Sequence, residues 1–127
     1  MLSKYSMTWD ATDRLITVKP IGFWSADDFS SYERDIIAML DRIGPFPFDF
    51  ITDMSDRVPQ SAEVSALFKG LAAKMGTMGL RRLVIVGATP LLRMQAKRVT
   101  AVATPHFATS TDEAIEWLRS AKCDGST

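Results

Sequence analysis

The sequence predicts an α/β protein with a single mixed, mostly parallel β-sheet, an N-terminal hairpin and about four helices in the order ββαβαβαβα. Three observations lead there. Apolar runs with strand character alternate with segments of 3.6-residue periodicity, the pattern of right-handed βαβ crossovers. The stretch Leu83 to Val86 in "RRLVIVG" is apolar without interruption, as a parallel strand covered on both faces requires. A length of 127 residues supplies one hydrophobic core and leaves no room for a second, so residues 1–127 are expected to form one domain.

Each element has local support. "SMTWD" and "RLITVK", on either side of a turn in "DATD", read as the opening hairpin. The helix in "SADDFSSYERDIIAMLDRI" aligns Phe29, Tyr32, Ile36, Leu40 and Ile43 on one stripe, with Ser25 as N-cap and Asp28 answering it as a capping-box variant. Trp24 is positioned to pack on Phe29 as a hydrophobic staple; the other use of "GFW" is an edge that contacts a ligand or membrane. "GPFP" breaks the helix, "FDFITD" is a strand, and "SAEVSALFKGLAAKM" is a helix with Val64, Leu67, Phe68, Leu71 and Met75 inward, closed by "GTMG". The strand "RRLVIVG" is expected in the middle of the sheet. In "TPLLRMQAKRVTAVA" Thr89 is the N-cap and Pro90 takes the first helical position, where its missing N–H costs nothing. "HFATS" is the last strand. "TDEAIEWLRSA" is the last helix, with Ser110 and Glu113 as a capping box and Ile115, Leu118 and Ala121 inward.

Composition narrows the function classes. Hydrophobic residues make up 46% and charged residues 24%, as in compact folded proteins. The start, "MLSKYSMTWD", has no apolar core of a signal peptide, and no run approaches the roughly 18 apolar residues of a membrane span, so a cytoplasmic location is expected, with at most peripheral membrane contact. The single cysteine, Cys123, excludes an internal disulfide or a cysteine metal cage and lies in a polar tail, 122–127, expected to be disordered.

The zero net charge conceals an asymmetry. Residues 1–63 hold eleven acids and six bases, residues 64–127 four acids and nine bases. No acid occurs between Glu63 and Asp112, while Lys69, Lys74, Arg81, Arg82, Arg93, Lys97 and Arg98 do. Sharing a face, these bases would attract phosphates, an anionic membrane or an acidic partner; spread around two helices, they merely solvate them. The opposed halves also suit a homodimer. Nucleic acid is not expected, because the domain as a whole is not basic and has no aromatic-basic stacking pattern.

The element order, the D-x-S of "ITDMSD" after an apolar strand, the strand end "LVIVG" and the closing "HFATSTDEAIEWL" together resemble the STAS superfamily, and within it the SpoIIAA-like branch related to bacterial anti-sigma-factor antagonists. The resemblance runs from about Thr8 to Ala121. It implies a non-enzymatic regulatory module in which a serine at the start of the second helix is phosphorylated by a partner kinase. Asp53 and Ser55 resemble the strand-end aspartate and serine, and Ser61 followed by Ala62 stands near the switch serine. Gln60 replaces the aspartate before it, and Glu63 stands where a glycine is expected; an acid there repels a phosphate. Ser61 is thus a candidate phosphorylation site, a helix N-cap or a ligand contact.

Catalytic patterns are weak. Asp49, Asp53 and Asp56 lack a spacing that sets carboxylates across a cleft, and His106, the only histidine, follows Pro105 at a strand start. No strained nucleophile elbow, dinucleotide fingerprint or phosphate loop occurs. No enzyme activity, metal or cofactor is expected. In open sheets of this kind ligands gather beyond the carboxyl ends of parallel strands, where helix N-termini carry partial positive charge. Gln60 to Ala62 and Gly87 to Pro90 mark two such ends, with Arg57 and Arg93 as charge assistance and Gly87 allowing a tight turn. The binding candidates are therefore Asp53, Ser55, Arg57, Gln60, Ser61, Gly87, Thr89 and Arg93, recognising a partner protein or a small anionic ligand. The alternative is a peripheral membrane carrier or sensor of a lipid-like apolar ligand, drawn from the methionines around "KMGTMGLRRL" and the likeness of the SpoIIAA-like branch to apolar-ligand carriers.

Overall fold

The computed structural model describes residues 4–44, 47–99 and 104–123. Nine elements follow in chain order: β1 (Tyr5–Asp10), β2 (Leu15–Pro20), α1 (Ala26–Ile43), β3 (Phe48–Asp53), α2 (Ala62–Thr77), β4 (Leu80–Val86), α3 (Pro90–Val99), β5 (His106–Ala108) and α4 (Thr111–Cys123). The strands form one sheet in the order β1-β2-β3-β4-β5, antiparallel between β1 and β2 and parallel thereafter. This is the expected ββαβαβαβα mixed sheet. Residues 100–103, assigned from sequence to the third helix, and 124–127 of the expected tail lie outside the described residues; the tail's first two residues belong to α4.

Handedness distributes the helices. Strands β2 to β5 are added in one direction, so right-handed crossovers put α1, α2 and α3 on the same face. There Ile36 and Leu40 of α1, Leu71 and Met75 of α2 and Ala96 of α3 meet Ile16, Val18, Phe50 and Ile85. Among the described residues only α4 covers the other face, packing Ala114 and Leu118 on Leu15, Ile51, Val84, Val86 and Ala108.

Local signals explain most element ends. At α1 the Asp28 N–H donates to the Ser25 hydroxyl at 3.2 Å and the Ser25 N–H to the Asp28 carboxylate at 2.9 Å, completing the capping box. These bonds hold the Asp28 carboxyl below its ordinary pKa. Trp24 is fully buried, with Tyr32 and Phe68 as ring neighbours at 5.1 and 5.5 Å; Phe29 reaches the same two rings from the other side. Phe23 points outward. At α4 the Ser110 hydroxyl accepts the Glu113 N–H, but the Glu113 carboxylate takes the Thr109 hydroxyl at 2.5 Å.

Two expectations need correction. Leu67 is exposed, because it lies about 60° around the helix from Val64, off the stripe of Val64, Phe68, Leu71 and Met75. The middle strand is β3 rather than β4, which has only β5 beyond it. Asp49 disguised it: this residue interrupts the apolar run of β3 yet is completely buried. Its charge is answered from β4, where Arg81 donates Nε and Nη2 to the two carboxylate oxygens at 3.1 and 3.0 Å and Arg82 Nε lies 3.4 Å away. Bidentate pairing of this kind compensates the loss of hydration.

Asp49→Ala is therefore expected to destabilise the fold by about 3 kcal/mol, the low end for breaking a buried pair because Arg81 can still reach water. Urea unfolding measures it; a loss below about 0.5 kcal/mol would place the pair among ordinary surface ion pairs.

Candidate functional site

Beyond the carboxyl ends of β3 and β4 the chain turns twice, after Asp53 and after Val86. Asp53 Oδ1 accepts the Ser55 backbone N–H at 3.0 Å and also the Ser55 hydroxyl, a local turn that commits both candidates to each other. Gly87 sits directly against that turn at φ +70°, where a Cβ would lie 3.3 Å from the Ser55 Cα and N. Its role is close backbone approach between the two turns.

Gln60 joins the loops. Its side-chain oxygen accepts the Trp24 N–H at 2.9 Å, and its amide nitrogen donates to the carbonyls of Gly22 and Val58 at 3.0 and 2.6 Å. Its backbone N–H donates to Gln95 Oε1 and its carbonyl accepts from Gln95 Nε2, both at 3.2 Å, which ties the start of α2 to α3. Only a carboxamide can accept one bond and donate two here; aspartate has no proton to give the two carbonyls. The glutamine at this position thus serves loop assembly. Ser61 and Thr89 are helix caps: their hydroxyls accept the N–H groups of Val64 and Leu92 at 3.1 and 3.3 Å.

Arg57 and Arg93 do not converge. Arg93 lies over the Phe107 ring of β5 and donates to the Ala88 carbonyl, on the outer side of α3. Arg57 turns inward. Its guanidinium lies 4.7 Å from the Trp24 ring and 4.6 Å from the Phe68 ring; the residue is 7% exposed and keeps Nη1 buried with no hydrogen-bond partner among the described residues. Among the described residues no carboxylate reaches it; the adjacent Asp56 pairs with Lys19 at 3.2 Å. Burial lowers its pKa to about 10, partly opposed by nearby Tyr32, so the group stays charged at neutral pH. Burial in turn pushes the Tyr32 phenol above its ordinary range.

Arg57 borders a cavity of about 100 Å³ between the sheet and helices α2 and α3. Arg57, Gln60, Gln95 and Ser65 stand toward the carboxyl edge of the strands, whereas Leu71, Met75, Leu80 and Leu83 line the part farther from that edge. Of these residues the sequence singled out Arg57 and Gln60 as binding candidates. It missed Gln95, whose only signal was a polar residue on a short helix, and it read Phe68 as plain core.

The acid-free segment does not make one positive patch. Arg81 and Arg82 serve Asp49 at the opposite end of β4, Lys74 pairs with Glu33 at 3.5 Å, and Arg93 and Lys97 lie over Phe107. His106 is stacked on Trp117 at 4.0 Å. Among the described residues no three His, Cys, Asp or Glu side chains gather as metal ligands would, and no helix is long and apolar enough to cross a membrane.

This architecture is a SpoIIAA-like fold. It is similar to the crystal structure of an uncharacterised protein of the DUF3478 family with a SpoIIAA-like fold from Shewanella loihica PV-4, with a TM-score of 0.73 and 18% sequence identity over 93% of this chain and 96% of that one. No protein-family model matches the chain. No curated protein matches it either.

Gly87→Ala is expected to cost about 1 to 2 kcal/mol from the left-handed backbone alone, and more if Ser55 cannot move aside. A thermal melt with no measurable loss would show that the two turns are not held in contact.

Proposed function

We propose that this chain is a non-enzymatic binding module of the STAS type, recognising a small anionic ligand at the carboxyl edge of its sheet. One observation carries the reading: a cation, Arg57, is buried at that edge without any counter-charge from the described residues. An unpaired buried charge costs several kcal/mol, and the Trp24 and Phe68 ring faces offset only part of that cost. A ligand bearing a negative charge offsets the rest. The remaining candidates frame such a site: Gln60 fixes the loop that carries Arg57, and Ser61 and Thr89 cap the two helix N-termini beside it, whose partial positive charge also favours an anion.

Regulation through a partner protein and phosphorylation at Ser61 belongs to the same module by resemblance to the anti-sigma-factor antagonists. Against it stand Glu63, two residues on, and the capping bond that a phosphate would have to replace. A subordinate reading, peripheral contact with an anionic membrane, rests on exposed Phe23, Leu91 and Met94, with Arg93 and Lys97 on the same helix as the last two.

Mass spectrometry of the protein purified gently from its own host separates these readings. The expected result is an unmodified chain carrying a small non-covalent passenger that is lost on denaturation. A covalent phosphate mapped to Ser61, with no passenger, would replace the ligand reading by the switch. Ser61→Ala is expected to lower unfolding stability by about 1 kcal/mol, the worth of a helix cap, and to leave passenger binding intact.

A further inference from the structure

Resting on the ligand reading above, we infer that the ligand is a small monocarboxylate with a compact apolar body, its carboxylate paired with Arg57 and its body in the cavity beneath α2 and α3. The charge follows from the count of cations. Among the described residues that line the cavity, Arg57 is the only charged side chain, so a monoanion neutralises the site whereas a dianionic phosphate would bury an excess negative charge in apolar surroundings. The geometry accommodates a carboxylate head group, and the charge count favours it over a dianionic phosphate. A guanidinium presents its donors as a planar fork that matches the two oxygens of a carboxylate, and the rings of Trp24 and Phe68 fix its position.

The body of the ligand is constrained by what the lining no longer offers. The carboxamides of Gln60 and Gln95, the obvious partners for a sugar or other polyol, are engaged by backbone groups. Beyond the carboxyl edge the wall is mainly Leu71, Met75, Leu80 and Leu83, and the further lining hydroxyls of Tyr32, Thr52 and Ser65 are too few for a polyol. Size sets the last limit. An apolar cavity of roughly 150 Å³ takes a benzene molecule, and this one, at about 100 Å³, is smaller and suits a short aliphatic chain, with a single ring as its upper limit.

The test compares hexanoate and benzoate with their uncharged counterparts, 1-hexanol and benzyl alcohol, by isothermal titration calorimetry on the full chain, wild type and Arg57→Met. The wild type is expected to prefer each acid over its alcohol by roughly ten- to hundredfold, the worth of a charged hydrogen bond. Arg57→Met is expected to lose that preference while melting, without ligand, at an unchanged or higher temperature, because it removes an uncompensated buried charge. Arg57→Lys, which keeps the charge without the fork, should retain the preference at reduced affinity and covers the case in which the methionine variant does not fold.

Equal binding of acid and alcohol by the wild type, or a preference that survives Arg57→Met, would overturn the carboxylate assignment and leave the binding module standing. Saturable binding of inorganic phosphate that is indifferent to Arg57→Met would do the same and move the anion to the helix N-termini. No binding of any probe would overturn this inference; a chain that also carries no passenger from its host would overturn the reading beneath it.

Discussion

Parallel strands lie about 4.8 Å apart, whereas packed helices need 8–10 Å between axes, and one-directional right-handed crossovers force three helices onto the same face of this sheet. The helices cannot sit one per strand. Helices α2 and α3 pack on each other, with a seam between them and the sheet. The cavity lies in that seam. What closes its upper end is the reciprocal pairing of Gln60 with Gln95, so the arrangement of the carboxyl edge follows from the same crowding that sets the core.

Against this background the two buried charged residues differ in kind. Asp49, at the amino end of β3, is held by two arginines from the neighbouring strand, and its charge is a structural element of the sheet. Arg57, at the other end of the same strand's continuation, has among the described residues only aromatic faces. Ring faces attract a cation, by about 1 to 2 kcal/mol when it is desolvated, which falls short of the cost of burying it alone. Stability alone does not account for such a residue. Proteins retain destabilising groups of this kind where binding needs them, and a cation that borders the cavity with an orphaned nitrogen is where the ligand reading begins.

The fold was largely legible because its signals are local: caps at Ser25, Ser61, Thr89 and Ser110, an apolar run in β4, and amphipathic stripes along the helices. The identity of the middle strand was not, since the Asp49 pairing that makes β3 buriable joins residues more than thirty positions apart. The candidate site was legible in part. Sequence pointed to the carboxyl edge and to Arg57, but whether a basic residue faces solvent, a carboxylate or two aromatic rings is a tertiary fact. Gln60 shows the same limit, reading as a lost aspartate until the Gly22 and Val58 carbonyls are seen beside its amide.

The most direct measurement is a crystal structure of the protein as purified from its own host, viewed at Arg57. The account predicts an anionic group within hydrogen-bonding distance of the Arg57 guanidinium, with apolar density continuing between α2 and α3. A guanidinium swung out to solvent, or closed upon by a carboxylate of the chain itself, would contradict it.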